Sequence, residues 1–100
     1  MKRRVRYHAL AQRDFVAAAA WSQSQWGAHL TRRYLLTIEA QVQRIVENPM
    51  LGSDADLPRA GQRKIIAGRH TVFYMVDESE VQIVRIMGPH QDHANALGLR

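Results

Sequence analysis

Gly27 stands between two stretches that each read as helix, with no other turn-forming residue beside it. Upstream, Ala9 to Gln25 carries Ala11, Phe15, Ala18, Ser22 and Gln25 or Trp26 at the helical period. The run Ala17 to Ala20 within it loses little entropy on ordering as helix. Downstream, Ala28 to Asn48 places Leu30, Tyr34, Leu35, Ile38, Val42, Ile45 and Val46 on one stripe. Pro49 ends that helix by disfavouring helical geometry at Asn48. Helices joined through little more than one glycine must fold back as an αα-hairpin. Gly27 is expected just past the first helix in a left-handed conformation.

Such a hairpin needs a cover for its apolar face, and the rest of the chain supplies strands. Lys2 to His8 alternates Val5 and Tyr7 with Arg4, Arg6 and His8, the period of a half-buried strand. Arg63 to Ile66, Thr71 to Val76 and Val81 to Met87 are apolar runs, separated by the turn Ala67-Gly68 and the polar loop Asp77 to Glu80. In the last run, strict alternation puts Val81, Ile83 and Arg85 on one face and Gln82, Val84 and Ile86 on the other. Met50 to Gly61 has loop composition, and Gly88 to Arg100 has no clear period. The order β-α-α-β-β-β implies an α+β fold, a helical hairpin packed on a small, mainly antiparallel sheet. Residues 1–100 are expected to form a single domain.

Composition then narrows the function classes. Of 100 residues, 46% are hydrophobic, enough for a real core. There is no cysteine, which excludes a disulfide framework and thiolate metal or redox sites and fits a reducing compartment. The longest apolar run, Phe15 to Trp21, falls far short of the roughly 20 residues a membrane span needs. Arg3 and Arg4 near the start mimic a signal peptide, but Arg13 and Asp14 break any apolar region after them. A complete, cytoplasmic chain is expected. The net charge of +5 favours an acidic partner: nucleic acid, a membrane surface or an acidic protein.

Few residues suggest chemistry. His90, Asp92 and His93 are of metal-ligating type, but a fixed site needs three or four converging ligands, and a solvated tail is the preferred reading. No metal and no cofactor are expected. No phosphate-binding loop, nucleophile elbow or zinc-protease motif is present. His70 reads as a partly buried, hydrogen-bonded histidine in preference to a general acid or base. Arg63, Lys64, Arg69 and Arg85 fall on the strand-rich half; with His90 they would be the candidates for metal-free nuclease chemistry, which needs cations beside developing phosphoryl charge and a group to move protons. Arg85, in an otherwise apolar run, belongs either at a cleft or beside an acid such as Asp14 or Glu39. Phe15, Trp21, Trp26 and Tyr34 read mostly as core or hairpin-joint residues, with stacking on bases as the other use of such aromatics.

Taken in order, these pieces resemble the ParE branch of the ParE/RelE toxin superfamily of bacterial type II toxin–antitoxin systems. The resemblance runs over nearly the whole chain. It rests on Ala11, Asp14 and Phe15 at the start of the first helix, Trp26-Gly27 with Tyr34 eight residues after Trp26, Pro49 and Gly52 after the second helix, the strands from Arg63 to Met87 including Tyr74, and Gln91-Asp92. One departure lies at Gly88, Pro89 and His90, where many members carry a His-Gly-Arg-like sequence.

The resemblance implies a growth-inhibiting toxin that blocks DNA gyrase, of the kind associated with plasmid stabilisation, and that is neutralised by a ParD-like antitoxin in a hetero-oligomer. The antitoxin would wrap the toxin through grooves beside the hairpin and along the sheet, and an acidic, partly disordered antitoxin would suit the charge of +5. The antitoxin contacts expected are Phe15, Trp21, Arg32, Tyr34, Arg69, Tyr74 and Arg85. The RelE branch, with a similar fold, cleaves messenger RNA on the ribosome, and it is the alternative. Thr71 stands where RelE-like members have a catalytic arginine, and Pro89-His90 where another basic pair is expected, which disfavours enzymatic activity here.

Overall fold

The computed structural model describes residues 3–56, 61–89 and 91. Strand β1 (Arg4–Tyr7) leads into helix α1 (Ala9–Trp26), which turns at Gly27 into helix α2 (Ala28–Glu47). Strands β2 (Ser53–Asp54), β3 (Arg63–Ala67), β4 (His70–Val76) and β5 (Glu80–Met87) follow. They form one sheet in the order β1-β5-β4-β3-β2. β1 runs parallel to β5, and every other pairing is antiparallel.

The helical hairpin forms as the sequence requires, with one difference at the joint. Gly27 has φ +83° but ψ 169°, so it is extended instead of left-handed helical. It ends α1 by donating its N–H to Gln23 and begins α2 by offering its carbonyl to the Thr31 hydroxyl at 3.1 Å. A single residue thus serves both ends, and the positive φ is why it is glycine.

α2 buries Tyr34, Ile38, Val42, Ile45 and Val46 against the sheet, while Leu30 at its start stays exposed. α1 buries Ala11, Asp14, Ala18 and Ser22, with Phe15 half-buried. Gln25 and Trp26 are exposed, so the expected stripe stops at Ser22. The main core joins these faces to Val72, Tyr74, Val81, Ile83 and Ile86 of the sheet. On the opposite face of the sheet a smaller cluster holds Ala55, Phe73 and Met87.

The expected alternation along β5 fails at Val84. Phe73 pairs with Arg85 but the next residue, Tyr74, pairs with Ile83, so Val84 is an extra residue opposite no partner. This bulge shifts the facing by one residue. Ile86, not Arg85, shares the main core with Val81 and Ile83. The other boundaries move slightly. β3 runs on to Ala67, which pairs with His70, and the two-residue turn is Gly68-Arg69. The segment 50–61, expected as plain loop, contributes the two-residue strand β2 beside β3.

Both edges of the sheet are short. β2 covers only Arg63 and Lys64 of β3. Beyond it, the Gln41 side-chain amide of α2 donates to the Ile66 carbonyl at 2.7 Å and is itself held by Arg44. A side chain therefore blunts an edge that would otherwise invite pairing.

Candidate functional site

The residues expected to act together fall into separate places. Arg63, at the start of β3, turns inward. Its guanidinium donates to the carbonyls of Met50 and Gly52, so it braces the loop after α2. Lys64 sits beside β2, paired with Ser53. Arg69 is exposed on the turn at the far end of β3, roughly 13 Å of strand beyond Arg63. Arg85 lies on the α1 side of the sheet, two strands away from β3. These four cations do not converge on one point. His90, with Asp92 and His93, lies outside the described residues.

Arg85 is committed to Asp14. Its Nε donates to Asp14 Oδ2 at 2.7 Å and an Nη donates to Oδ1 at 3.0 Å, a bidentate pair. The side chains are only 14% and 9% exposed. The Asp14 hydrogen bond pushes the Arg85 pKa up, with burial opposing. Asp14 also accepts the Ile86 N–H at 2.9 Å. β1 stops pairing at Ile83, so Asp14 of α1 takes over the open edge of β5 where the first strand leaves it. Of the two readings of Arg85, the ion pair with Asp14 is the observed one.

The expected antitoxin contacts also divide. Tyr74 is completely buried: its hydroxyl donates to the Pro49 carbonyl at 2.8 Å and accepts the Gly52 N–H at 3.1 Å. It fastens the loop after α2, and its ring lies in the main core. Tyr34 is buried as well, its hydroxyl accepting the Arg69 N–H at 2.9 Å and meeting His70 Nδ1 at 2.5 Å. Arg85 is spent on Asp14. Arg32 and Arg69 are exposed, and Trp21 and Phe15 are half-exposed.

Two features stand out among the described residues. Tyr7 and Phe15 meet edge to face, with centroids 6.5 Å apart, and help line a groove of about 780 Å³ that continues past Leu36, Glu39 and Ala40 of α2. At the other end of the hairpin, Trp21, Trp26, Tyr34 and His70 form an aromatic cluster with centroid spacings of 5.1–5.5 Å. Trp26 packs at the bend as expected, yet keeps 43% of its surface exposed. His70 is the buried, hydrogen-bonded histidine the sequence suggested; burial lowers its pKa and the nearby Asp14 charge opposes that. Among the described residues no cluster of side chains could hold a metal ion, and no helix is long and apolar enough to cross a membrane.

The model of the family described as "ParE toxin of type II toxin-antitoxin system, parDE" matches residues 5–93. The chain belongs to this ParE toxin family. The toxin ParE1 of Mycobacterium tuberculosis is 35% identical over 69 residues, covering 68% of this chain and 70% of the relative. The toxin ParE1 of Caulobacter vibrioides is 31% identical over 88 residues, covering 88% and 91%. The solved chromosomal ParDE toxin–antitoxin system of P. aeruginosa superimposes with a TM-score of 0.74 at 18% identity, covering 87% of this chain and 96% of that one. At that identity the likeness speaks for the fold.

Sequence reasoning had no signal for Gln41 at the β3 edge or for the bulge at Val84. The buried charge at Asp14 did have one: it is the lone acid in α1, three residues after the buried Ala11.

Proposed function

We propose that this chain is a cytoplasmic toxin that inhibits DNA gyrase and is held inactive by a ParD-like antitoxin. The observation that carries the reading is the bidentate Arg85–Asp14 pair. Phosphoryl-transfer chemistry without a metal needs unneutralised cations gathered at one point. Here Arg85 is neutralised, Arg63 serves a loop, and Lys64 and Arg69 sit on different parts of β3 and its turn. Inhibition by binding requires no such gathering.

Membership of the ParE family supports the toxin role, and the ParDE assembly of P. aeruginosa is a relative in fold that pairs with an antitoxin. The groove beside Tyr7, Phe15 and Leu36 suits one apolar face of an amphipathic antitoxin segment, and the net charge of +5 suits its acidic residues. Exposed Arg32 and Arg69 remain available to such a partner.

The test is a supercoiling assay with purified gyrase and relaxed plasmid. Inhibition should appear with the toxin and be relieved by adding the cognate antitoxin at equal molarity. Unimpaired supercoiling, together with new messenger RNA ends in a translation reaction, would instead establish the RelE-like ribonuclease reading.

A further inference from the structure

β1 is an edge strand with one side bonded and the other open. Arg4 donates its N–H to the Ser79 carbonyl at 3.0 Å, and His8 donates to the Ile83 carbonyl at 2.9 Å. Alternate residues of a parallel ladder face the same neighbour, so Arg4, Arg6 and His8 bond to β5. Val5 and Tyr7 then direct their N–H and C=O groups away from the sheet. Of these outward groups, the Tyr7 carbonyl alone has a partner among the described residues, the Gln12 side-chain amide at 3.3 Å. The β3 edge is covered by β2 and capped by Gln41, whereas the β1 edge stays open to pairing with another strand.

The two faces of this edge differ in chemistry. Val5 and Tyr7 turn toward the helices and pack against the main core. The groove of about 780 Å³ opens beside Tyr7 and continues past Phe15 and Leu36, which is 50% exposed. Arg4 and Arg6 turn to the opposite face and are both exposed. Arg6 meets Glu80 at 3.2 Å, and among the described residues no carboxylate pairs with Arg4. These charges decide what can lie alongside. A second copy laid antiparallel, Val5 beside the other's Tyr7, would bring the two Arg6 side chains face to face, and like charges directly opposite are destabilising. A strand with acidic residues on that face turns the same contacts into attraction. Its other face lies against Phe15 and Leu36, where apolar residues gain by burial.

We propose that the outer edge of β1 is a docking strand for an extended segment of a protein partner in which apolar residues alternate with aspartate or glutamate. The backbone of that segment pairs with the outward groups of Val5 and Tyr7. Its apolar side chains enter the groove beside Tyr7 and Phe15, and its carboxylates meet Arg4 and Arg6. The inference rests on the proposed function in taking the antitoxin as the protein that carries this segment. The pairing itself is testable without gyrase or antitoxin.

The full chain, labelled with ¹⁵N, is titrated with a blocked synthetic peptide alternating valine with glutamate, and separately with a valine–lysine peptide of the same length. Amide hydrogen exchange is followed residue by residue. In the free protein the Val5 and Tyr7 amides should exchange fast, while those of Arg6 and His8 are protected. The glutamate peptide should slow exchange at Val5 and Tyr7 and bind about tenfold more tightly than the lysine peptide. Val5→Pro removes one outward N–H without costing a ladder bond and should weaken the glutamate peptide about fivefold. Arg4→Glu with Arg6→Gln changes exposed positions only, so it keeps the fold, and it should reverse the preference between the two peptides. No binding of the glutamate peptide, equal binding of both peptides, or binding without slowed exchange at Val5 and Tyr7 would overturn the proposal. So would slowing at both amides as the protein alone is concentrated, since that marks a second copy on this edge. Unimpaired supercoiling in the gyrase assay would count against the proposed function and leave the exchange results as they stand.

Discussion

Asp14 and Arg85 lie 71 residues apart in the chain and meet through two hydrogen bonds of 2.7 and 3.0 Å. One comes from the first helix and the other from the last strand, so the pair ties the hairpin to the sheet. It also engages one of the five residues named from the sequence as candidates for chemistry on a phosphate.

Arg85→Ala should therefore destabilise the fold more than a surface arginine would. It leaves Asp14 nine-tenths buried with its charge unmatched, a loss of about 3 kcal/mol. Asp14→Asn keeps an acceptor for the Ile86 N–H and should cost less. The double replacement Asp14→Leu with Arg85→Met should be milder than the sum of its parts. Urea denaturation followed by tryptophan fluorescence measures these variants, with the single replacements Asp14→Leu and Arg85→Met alongside; equal losses for Arg85→Ala and Arg32→Ala would contradict the pair's structural role.

His70 gives stability a pH dependence of definite sign. Burial lowers its pKa below the ordinary 6.5, so the unfolded chain binds the proton more readily than the folded one. The stabilising contribution is present above pH 6.5 and is lost as pH falls through the lower folded value. His70→Gln should flatten that part of the profile of Tm against pH. A profile unchanged by the substitution would mean that another group titrates there.

The loop after α2 depends on one hydroxyl and one missing side chain. Tyr74→Phe strands the Pro49 carbonyl and the Gly52 N–H and should cost about 1–2 kcal/mol. Gly52→Ala should cost more, about 3 kcal/mol, because its methyl would lie 2.5 Å from both the Lys64 carbonyl oxygen and the Tyr74 hydroxyl. Chemical denaturation ranks the two, and a reversed order would show that the loop can shift.

Gly27→Ala tests the joint between the helices by a different cost. A methyl there meets nothing within 4 Å, so space is not the issue. The φ of +83° is, and the substitution should destabilise by about 1–2 kcal/mol through backbone strain alone. Its thermal unfolding should shift while the packing of Trp21 against Tyr34, seen in near-ultraviolet circular dichroism, stays as it was.

Much of this architecture was legible from local pattern. The two helices followed from the 3.6-residue period, the hairpin from Gly27, and the meander from runs separated by polar turns. The facing of β5 was not, because the alternation rule assumes an unbroken ladder and Val84 breaks it. Among site residues, Tyr34 and Tyr74 were expected as antitoxin contacts, and the structure shows their hydroxyls bonded within the chain, to His70 and to the Pro49 carbonyl. Motif matching detects that a position is constrained; it does not distinguish a constraint from inside the fold from one outside it.

By itself the sequence determined the element order, the reversal at Gly27, the apolar face of α2, the basic charge and the family. Those are properties of neighbouring residues and of the summed composition. Only the tertiary structure decided that β1 joins the sheet beside β5, that Asp14 captures Arg85, and that His70 meets Tyr34 through Nδ1. These depend on contacts between segments dozens of residues apart. Such contacts are set by how two apolar faces close on each other, which no local period encodes.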